Sequence, residues 1–191
     1  MPLEQLKNWI EEEKKQGAPN PQQAVLSTVS QDAKPHSRVV AIREISAVGL
    51  IFFTQLGTRK VSEMAENPFI TLTFWFELMQ RQVIIEALVE PLTEAENRLY
   101  WTTYPRNAQL RFLAYAPTSG QPIASKELLE AKKNQLEQVH GQDEIPYTPL
   151  YRGYHVRPHK FTFYSYRLDE LSDVFEYRLE EDRWHQQVLS P

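Results

Sequence analysis

The stretch FFTQLGTRKVSEMAENP, residues 52–68, runs from an apolar segment through a turn into an amphipathic one. It puts Thr58, Arg59 and Lys60 where a strand hands over to a helix. A helix N-terminus presents unpaired amide N–H groups and partial positive charge, so it favours an anion. Two cations at the first helical positions oppose that preference, which points to a use other than helix stability. On these residues alone two readings stay open, an anion site of the kind a phosphate occupies and an ordinary solvated turn.

Outward from this junction the chain is strand-rich. Short β-branched and aromatic runs, AVLSTVS (24–30), SRVVAIRE (37–44), LIFFT (50–54), FITLTFWF (69–76) and RQVIIEALVEPL (81–92), are separated by turn residues such as QDAKP and SAVG. Strands at such close spacing predict an antiparallel sheet or barrel rather than alternating β-α units. Val61–Glu66 reads as one short helix inside that region. An N-terminal helix is expected over 2–17, from Leu3, Leu6, Trp9 and Ile10 at helical spacing with Gly17 as its C-cap. Beyond residue 92 the texture changes. TEAENRLYWTTY carries a threonine N-cap with acidic residues in its first turn, and SKELLEAKKNQLEQVH (125–140) carries a serine cap. GYHVRP, KFTFYSYRL, VFEYRL and RWHQQVLSP read as the closing strands. The expectation is a single α+β domain over 1–191, with a barrel core at 24–92, a helical segment at 93–140 and C-terminal strands at 152–191.

Composition narrows the functional classes. The 191 residues are 41% hydrophobic, enough for a sizeable core, and the net charge is −4. That balance lacks the basic footprint of a dedicated nucleic-acid binder. With no cysteine there is no thiolate nucleophile, disulfide or cysteine-ligated metal. MPLEQLKNWIEEEKK is too charged for a signal peptide and no apolar run approaches 18 residues, so a soluble, cytoplasmic protein with no membrane partner is expected. His155 and His159 are four apart, but they flank Pro158 in a strand-like segment, so no metal site is expected. Walker, GxGxxG and GxSxG patterns are absent. Arg38 and Arg43 flank a β-branched run, with Arg38 in phase with a half-buried alternation. Gln82 opens the most apolar strand with both a donor and an acceptor. Tyr100, Trp101 and Tyr104 share a helical spacing that serves a core as readily as a ligand box.

Together, SRVVAIR, FFTQLGTRK, ENP, RQV, YWTTYPRNAQL and the terminal RWHQQVLSP resemble the pyridoxine/pyridoxamine 5′-phosphate oxidase family, the FMN-binding split barrels. Order and spacing hold from about residue 24 to residue 191. The resemblance implies an FMN cofactor lying at the interface of a homodimer, with a small-molecule substrate. It implies that Arg38, Arg59 and Lys60 bind the FMN phosphate and that Thr58 stands beside them. Val39, Val40, Ala41, Ile42 and Arg43 would run along the cofactor with Phe53 and Thr54 nearby. Gln82 would meet the polar edge of the flavin, Tyr164 would keep the aromatic face of a family tryptophan, and Ser119 or Gln121 would supply a further contact.

The departures fall on the substrate side. The family's C-terminal W-x-x-x-x-x-R-L-H-D-R reads YSYRLDELSDV here, so Glu170, Ser172 and Val174 replace an arginine, a histidine and an arginine. The substrate-phosphate set of lysine, tyrosine, arginine and serine becomes Arg43, Tyr100, Tyr104 and Ala108, with Arg106 close by. Removing a bidentate arginine and a hydroxyl from a dianion site costs roughly 1.5–3 kcal/mol for each charged hydrogen bond. Three functions follow. The first is an FMN-dependent oxidoreductase acting on another small molecule, its pocket lined by Arg43, Tyr100, Tyr104, Glu170 and Ser172. The second is a divergent pyridoxine/pyridoxamine 5′-phosphate oxidase in which Arg106, Arg167 or Arg43 takes over the substrate phosphate. The third is a non-catalytic flavin-binding protein.

Overall fold

Strand alternation builds the larger part of the molecule. The computed structural model describes all 191 residues and divides into two compact units, one of residues 1–53, 63–90 and 154–191, the other of residues 54–62 and 91–153. The strands, which belong mostly to the first, are β1 (Gln23–Val29), β2 (Pro35–Ile45), β3 (Leu50–Gln55), β4 (Phe69–Phe76), β5 (Arg81–Pro91) and β6 (Tyr151–Ser165), in the order β3-β2-β1-β4-β5-β6. A further β3–β6 pairing closes these six strands into an antiparallel barrel. β7 (Asp173–Glu180) and β8 (Arg183–Val188) extend the sheet beyond β6.

Each barrel strand sends alternate residues inward. Leu26, Val40, Ile42, Leu72, Phe74, Phe76, Val83, Ile85, Phe161 and Phe163 are buried, while Val39, Phe69 and Trp75 on the opposite parity are exposed. Each buried phenylalanine contributes roughly 1.5–3 kcal/mol. Closure depends on Gly49, because a Cβ there would lie 2.2 Å from the Val156 carbonyl oxygen of β6. Helix α1 (Pro2–Lys15) covers the barrel with Leu3, Leu6 and Ile10, and Trp9 meets Phe76 and Phe163 edge to face. Its buried Glu13 accepts the backbone N–H groups of Leu78 and Met79 at 2.9 and 3.0 Å, which fixes the β4–β5 turn.

Two element boundaries differ from the sequence pattern. GYHVRP joins the first six residues of KFTFYSYRL in one continuous strand, β6, which runs through a buried Pro158 and ends at Ser165. The short helix, α2 (Arg59–Glu66), starts two residues earlier than its apolar periodicity, so that Arg59 opens it.

The second unit is helical. Thr93 caps α3 (Glu94–Thr102) as expected, and with Glu96 it forms a reciprocal capping box. No spacing above assigns a helix to α4 (Arg106–Tyr115), which begins directly after Pro105. α5 (Lys126–His140) forms as expected, yet Ser125 stands at its N-cap without a capping side-chain bond. Trp101 is the hub, 2% exposed, with its Nε1–H donated to the Ile145 carbonyl at 2.9 Å and its ring among Tyr104, Phe112, Tyr147 and Tyr151. Asn97, fully buried, donates to the carbonyls of Leu92 and Thr93 and accepts the Gly153 N–H at 2.7 Å.

Candidate functional site

The strand-to-helix junction supplies the first element. Thr58 is buried, and its hydroxyl donates to the Gln55 carbonyl at 2.9 Å, while Lys60 Nζ stands 3.4 Å from the same Oγ1. The Thr58 carbonyl accepts the Val61 N–H at 3.0 Å and so starts the helix. Arg59 is exposed at the first helical position, and the first turn contains no acidic residue. Gln55 is buried with Oε1 lacking a donor. Cations and amide N–H groups for a phosphate, beside an acceptor for a hydroxyl, fit the phosphate ester of a polyol chain such as FMN carries.

Inside the barrel unit, Arg38 shares the inward parity of β2 with Val40 and Ile42. Its Nη1 donates to Thr28 Oγ1 at 2.6 Å and to the Leu26 carbonyl at 3.3 Å, and its Nη2 lies 3.4 Å from Glu63 Oε2. Val39, Ala41 and Arg43 take the outward parity of the same strand and are exposed. Glu63, 4% exposed, also accepts from the Thr28 hydroxyl and faces His36 Nδ1 at 2.6 Å. Burial raises its pKa, but the Thr28 hydroxyl, His36 and Arg38 together hold it below the ordinary carboxylate value. Neither Glu63 nor His36 stood out in the sequence, because their partners are 25 to 35 residues away along the chain.

Gln82 pairs with Trp75 across β4 and β5. Trp75 meets Tyr166 edge to face at 5.5 Å, and Tyr166 lies 4.3 Å from the Tyr164 ring. The two residues expected at the flavin ring are thus joined by a half-exposed aromatic ladder. Trp75 and Tyr166 were missed, although Trp75 stands on the outward parity of an otherwise buried strand. Phe53 and Thr54, at the end of β3, are half-buried.

The substrate-side residues separate into groups. Glu170 and Ser172 lie in the exposed connection between β6 and β7, gathered around Arg167. Arg167 holds Asp173 at 2.9 Å and Glu170 at 3.7 Å, and its backbone N–H is donated to Ser172 Oγ. Val174 is buried on β7. In the helical unit, Arg106 donates to the carbonyls of Asp143 and Gly141 at 2.5 and 2.6 Å, so it clamps the chain beyond α5. Tyr104 packs on Trp101 and Tyr151, Ala108 is buried, and Tyr100 is half-buried on α3. Tyr104 and Ala108 line a cavity of about 320 Å³ between α4 and α5, with Arg111, Tyr115 and Leu129. Its lysines are paired, Lys126 with Glu130 and Lys133 with Glu137. Burial, with Tyr104 alongside, pushes Tyr115 up to about 12, so its hydroxyl remains a donor at neutral pH. Ser119 is half-buried and Gln121 exposed in the α4–α5 connection.

Residues 10–140 match the profile of the family described as pyridoxamine 5′-phosphate oxidase, and residues 151–191 match that of the pyridoxine 5′-phosphate oxidase C-terminal dimerisation region. A pyridoxine/pyridoxamine 5′-phosphate oxidase from Acaryochloris marina is 33% identical over 190 residues, covering 100% of this chain and 86% of that protein. PhzG from Burkholderia lata 383, solved in complex with tetrahydrophenazine-1-carboxylic acid, superposes with a TM-score of 0.88 at 26% identity, covering 100% and 92% of the two chains. A pyridoxamine 5′-phosphate oxidase-related, FMN-binding protein from Nostoc punctiforme shares the fold, with a TM-score of 0.80 at 15% identity over 97% and 95% of the chains.

Proposed function

This chain belongs to the pyridoxamine 5′-phosphate oxidase family, and we propose that within it the protein oxidises a small ring substrate that carries no phosphate. The family's members are FMN-dependent oxidoreductases, and FMN is the cofactor. Bound FMN supplies the acceptor for a hydride, and the protein's part is to bind and orient both partners. We assign Arg38 on β2, and Thr58, Arg59 and Lys60 at the start of α2, to the FMN phosphate. Val39–Arg43, Phe53 and Thr54 run beside the cofactor, Gln82 hydrogen-bonds the polar edge of the flavin, and Tyr164 lies against it. The working form is a homodimer through the C-terminal region.

One observation carries the substrate reading. The positions that correspond to the family's phosphate-clamping arginine and serine hold Tyr104, packed against two other rings, and the buried methyl of Ala108. Two of the three arginines that could replace the clamp are engaged elsewhere, Arg106 by two carbonyls and Arg167 by Asp173. The lysines lining the α4–α5 cavity have glutamate partners, which leaves Arg111 as its cation outside those pairs. A dianion needs several converging charges, whereas a neutral or singly charged ring can use the aromatic wall and the Tyr115 hydroxyl. The PhzG neighbour was solved with a ring carboxylate, a ligand of that class.

An anaerobic half-reaction tests this. The FMN-loaded protein is mixed with pyridoxine 5′-phosphate, and separately with reduced ring carboxylates, while flavin absorbance is followed. We expect the flavin to stay yellow with the first and to bleach with a member of the second set. Rapid bleaching by pyridoxine 5′-phosphate would return the protein to the oxidation of pyridoxine 5′-phosphate.

A further inference from the structure

We propose that Glu63 is a positioning residue for FMN, setting Arg38 toward the cofactor phosphate through Thr28. This rests on the assignment of Arg38 to that phosphate.

The register of β1 and β2 puts Leu26 opposite Arg38 and Thr28 opposite His36. Thr28, His36 and Arg38 therefore share the inward face whose next residues, Val40 and Ile42, are buried core. Apolar side chains could fill that space at little cost. A nearly fully buried carboxylate is instead expensive unless its charge and lone pairs are met. Here they are met: Oε1 faces His36 Nδ1 at 2.6 Å, and Oε2 accepts from the Thr28 hydroxyl and, at 3.4 Å, from Arg38 Nη2.

The Thr28 hydroxyl supplies the directional link. It has one proton, and that proton points at Glu63. Its lone pairs then face the other way, where Arg38 Nη1 donates at 2.6 Å. The Leu26 carbonyl takes a second bond from the same nitrogen at 3.3 Å. A guanidinium is a rigid planar fork, so acceptors along one edge fix the direction of the rest of the plane. Glu63 holds the hydroxyl in the orientation that accepts, and it gives the half-buried Arg38 a counter-charge when no phosphate is bound. His36 keeps the carboxylate partnered when a phosphate draws on Arg38.

Titrating the flavin-stripped, full-length protein with FMN and with riboflavin, by flavin fluorescence quenching, separates this role from general structural support. Riboflavin lacks the phosphate and is blind to Arg38 as a phosphate ligand. Glu63→Gln keeps the shape and removes the charge. We expect it to weaken FMN roughly tenfold or more, in line with loss of one well-placed charged hydrogen bond, and to leave riboflavin unchanged. Added to Arg38→Ala, it should have no further effect on FMN. Thr28→Val, close in size but without the hydroxyl, should reproduce the selective loss and serves if the Glu63 variant does not fold. Equal weakening of both flavins, or unchanged or tighter FMN binding in the Glu63 variant while Arg38→Ala abolishes the FMN preference, would overturn the role of Glu63. An FMN preference that survives Arg38→Ala would overturn the assignment of Arg38 itself.

Discussion

The barrel end around Glu63 and the α4–α5 cavity handle polarity in opposite ways. At the barrel end four polar side chains from three elements satisfy one another, with a buried carboxylate at the centre. In the cavity the wall is tyrosine, alanine and leucine, and the charges are lysine–glutamate pairs along α5, with Arg111 outside them. A buried ionic network tolerates little change, because removing one member leaves the others unpaired in a low dielectric. A partly open aromatic wall has no such constraint. The difference teaches that a buried polar network constrains each of its members, whereas an aromatic wall beside paired surface charges leaves its residues freer to change.

Substitutions can break this contrast or sharpen it. The largest effect is expected from Arg59→Ala combined with Lys60→Ala, which removes two charged donors at the junction. At roughly 1.5–3 kcal/mol each, FMN affinity should fall by about two to four orders of magnitude, with the circular dichroism spectrum unchanged. Stoichiometric flavin in the purified double variant would break the comparison at its fixed end. Next is the reverse experiment on the plastic end. Tyr104→Arg with Ala108→Ser restores the family's donors, and we expect pyridoxine 5′-phosphate to bleach the flavin at least roughly tenfold faster than in the parent. No gain would place the substrate specificity elsewhere.

Acid stability gives a smaller test on the barrel unit. Arg178 beside Glu176, with Gln187 and Lys160, outweighs burial and holds the Glu176 carboxyl down at about 2. Glu63 is lowered in the same direction. A carboxyl depressed on folding stabilises above its unfolded value, near 4.5, and that contribution is lost as pH falls through the folded value. The melting temperature should therefore drop between about pH 4.5 and about pH 2, and Glu176→Gln should flatten that slope. The smallest effect belongs to the helical unit's surface. Glu94 and Arg98 are exposed at i,i+4, and Glu94→Gln should cost less than about 0.5 kcal/mol in urea denaturation.

Local signals were the legible ones. The threonine cap at Thr93, the β-branched and aromatic run of β4 and the short helix α2 each depend on neighbours within a few residues. Helix α4 was missed because its apolar residues are buried on most sides, so Ala108, Leu110, Phe112 and Ala114 show little amphipathic contrast. The continuity of β6 was missed because Pro158 reads locally as a breaker, while its place in the sheet depends on strands distant in sequence.

By itself the sequence determined the strand-rich fold class and the cations at the strand-to-helix junction, because residue order and spacing encode these directly. Only the tertiary structure decided which polar groups satisfy one another. It paired Glu63 with Thr28, His36 and Arg38, tied Arg106 to two carbonyls, and gathered Glu170 and Ser172 around Arg167. The physical reason is that a hydrogen bond depends on distances of about 3 Å in space, and chain separation sets no limit on which groups reach them.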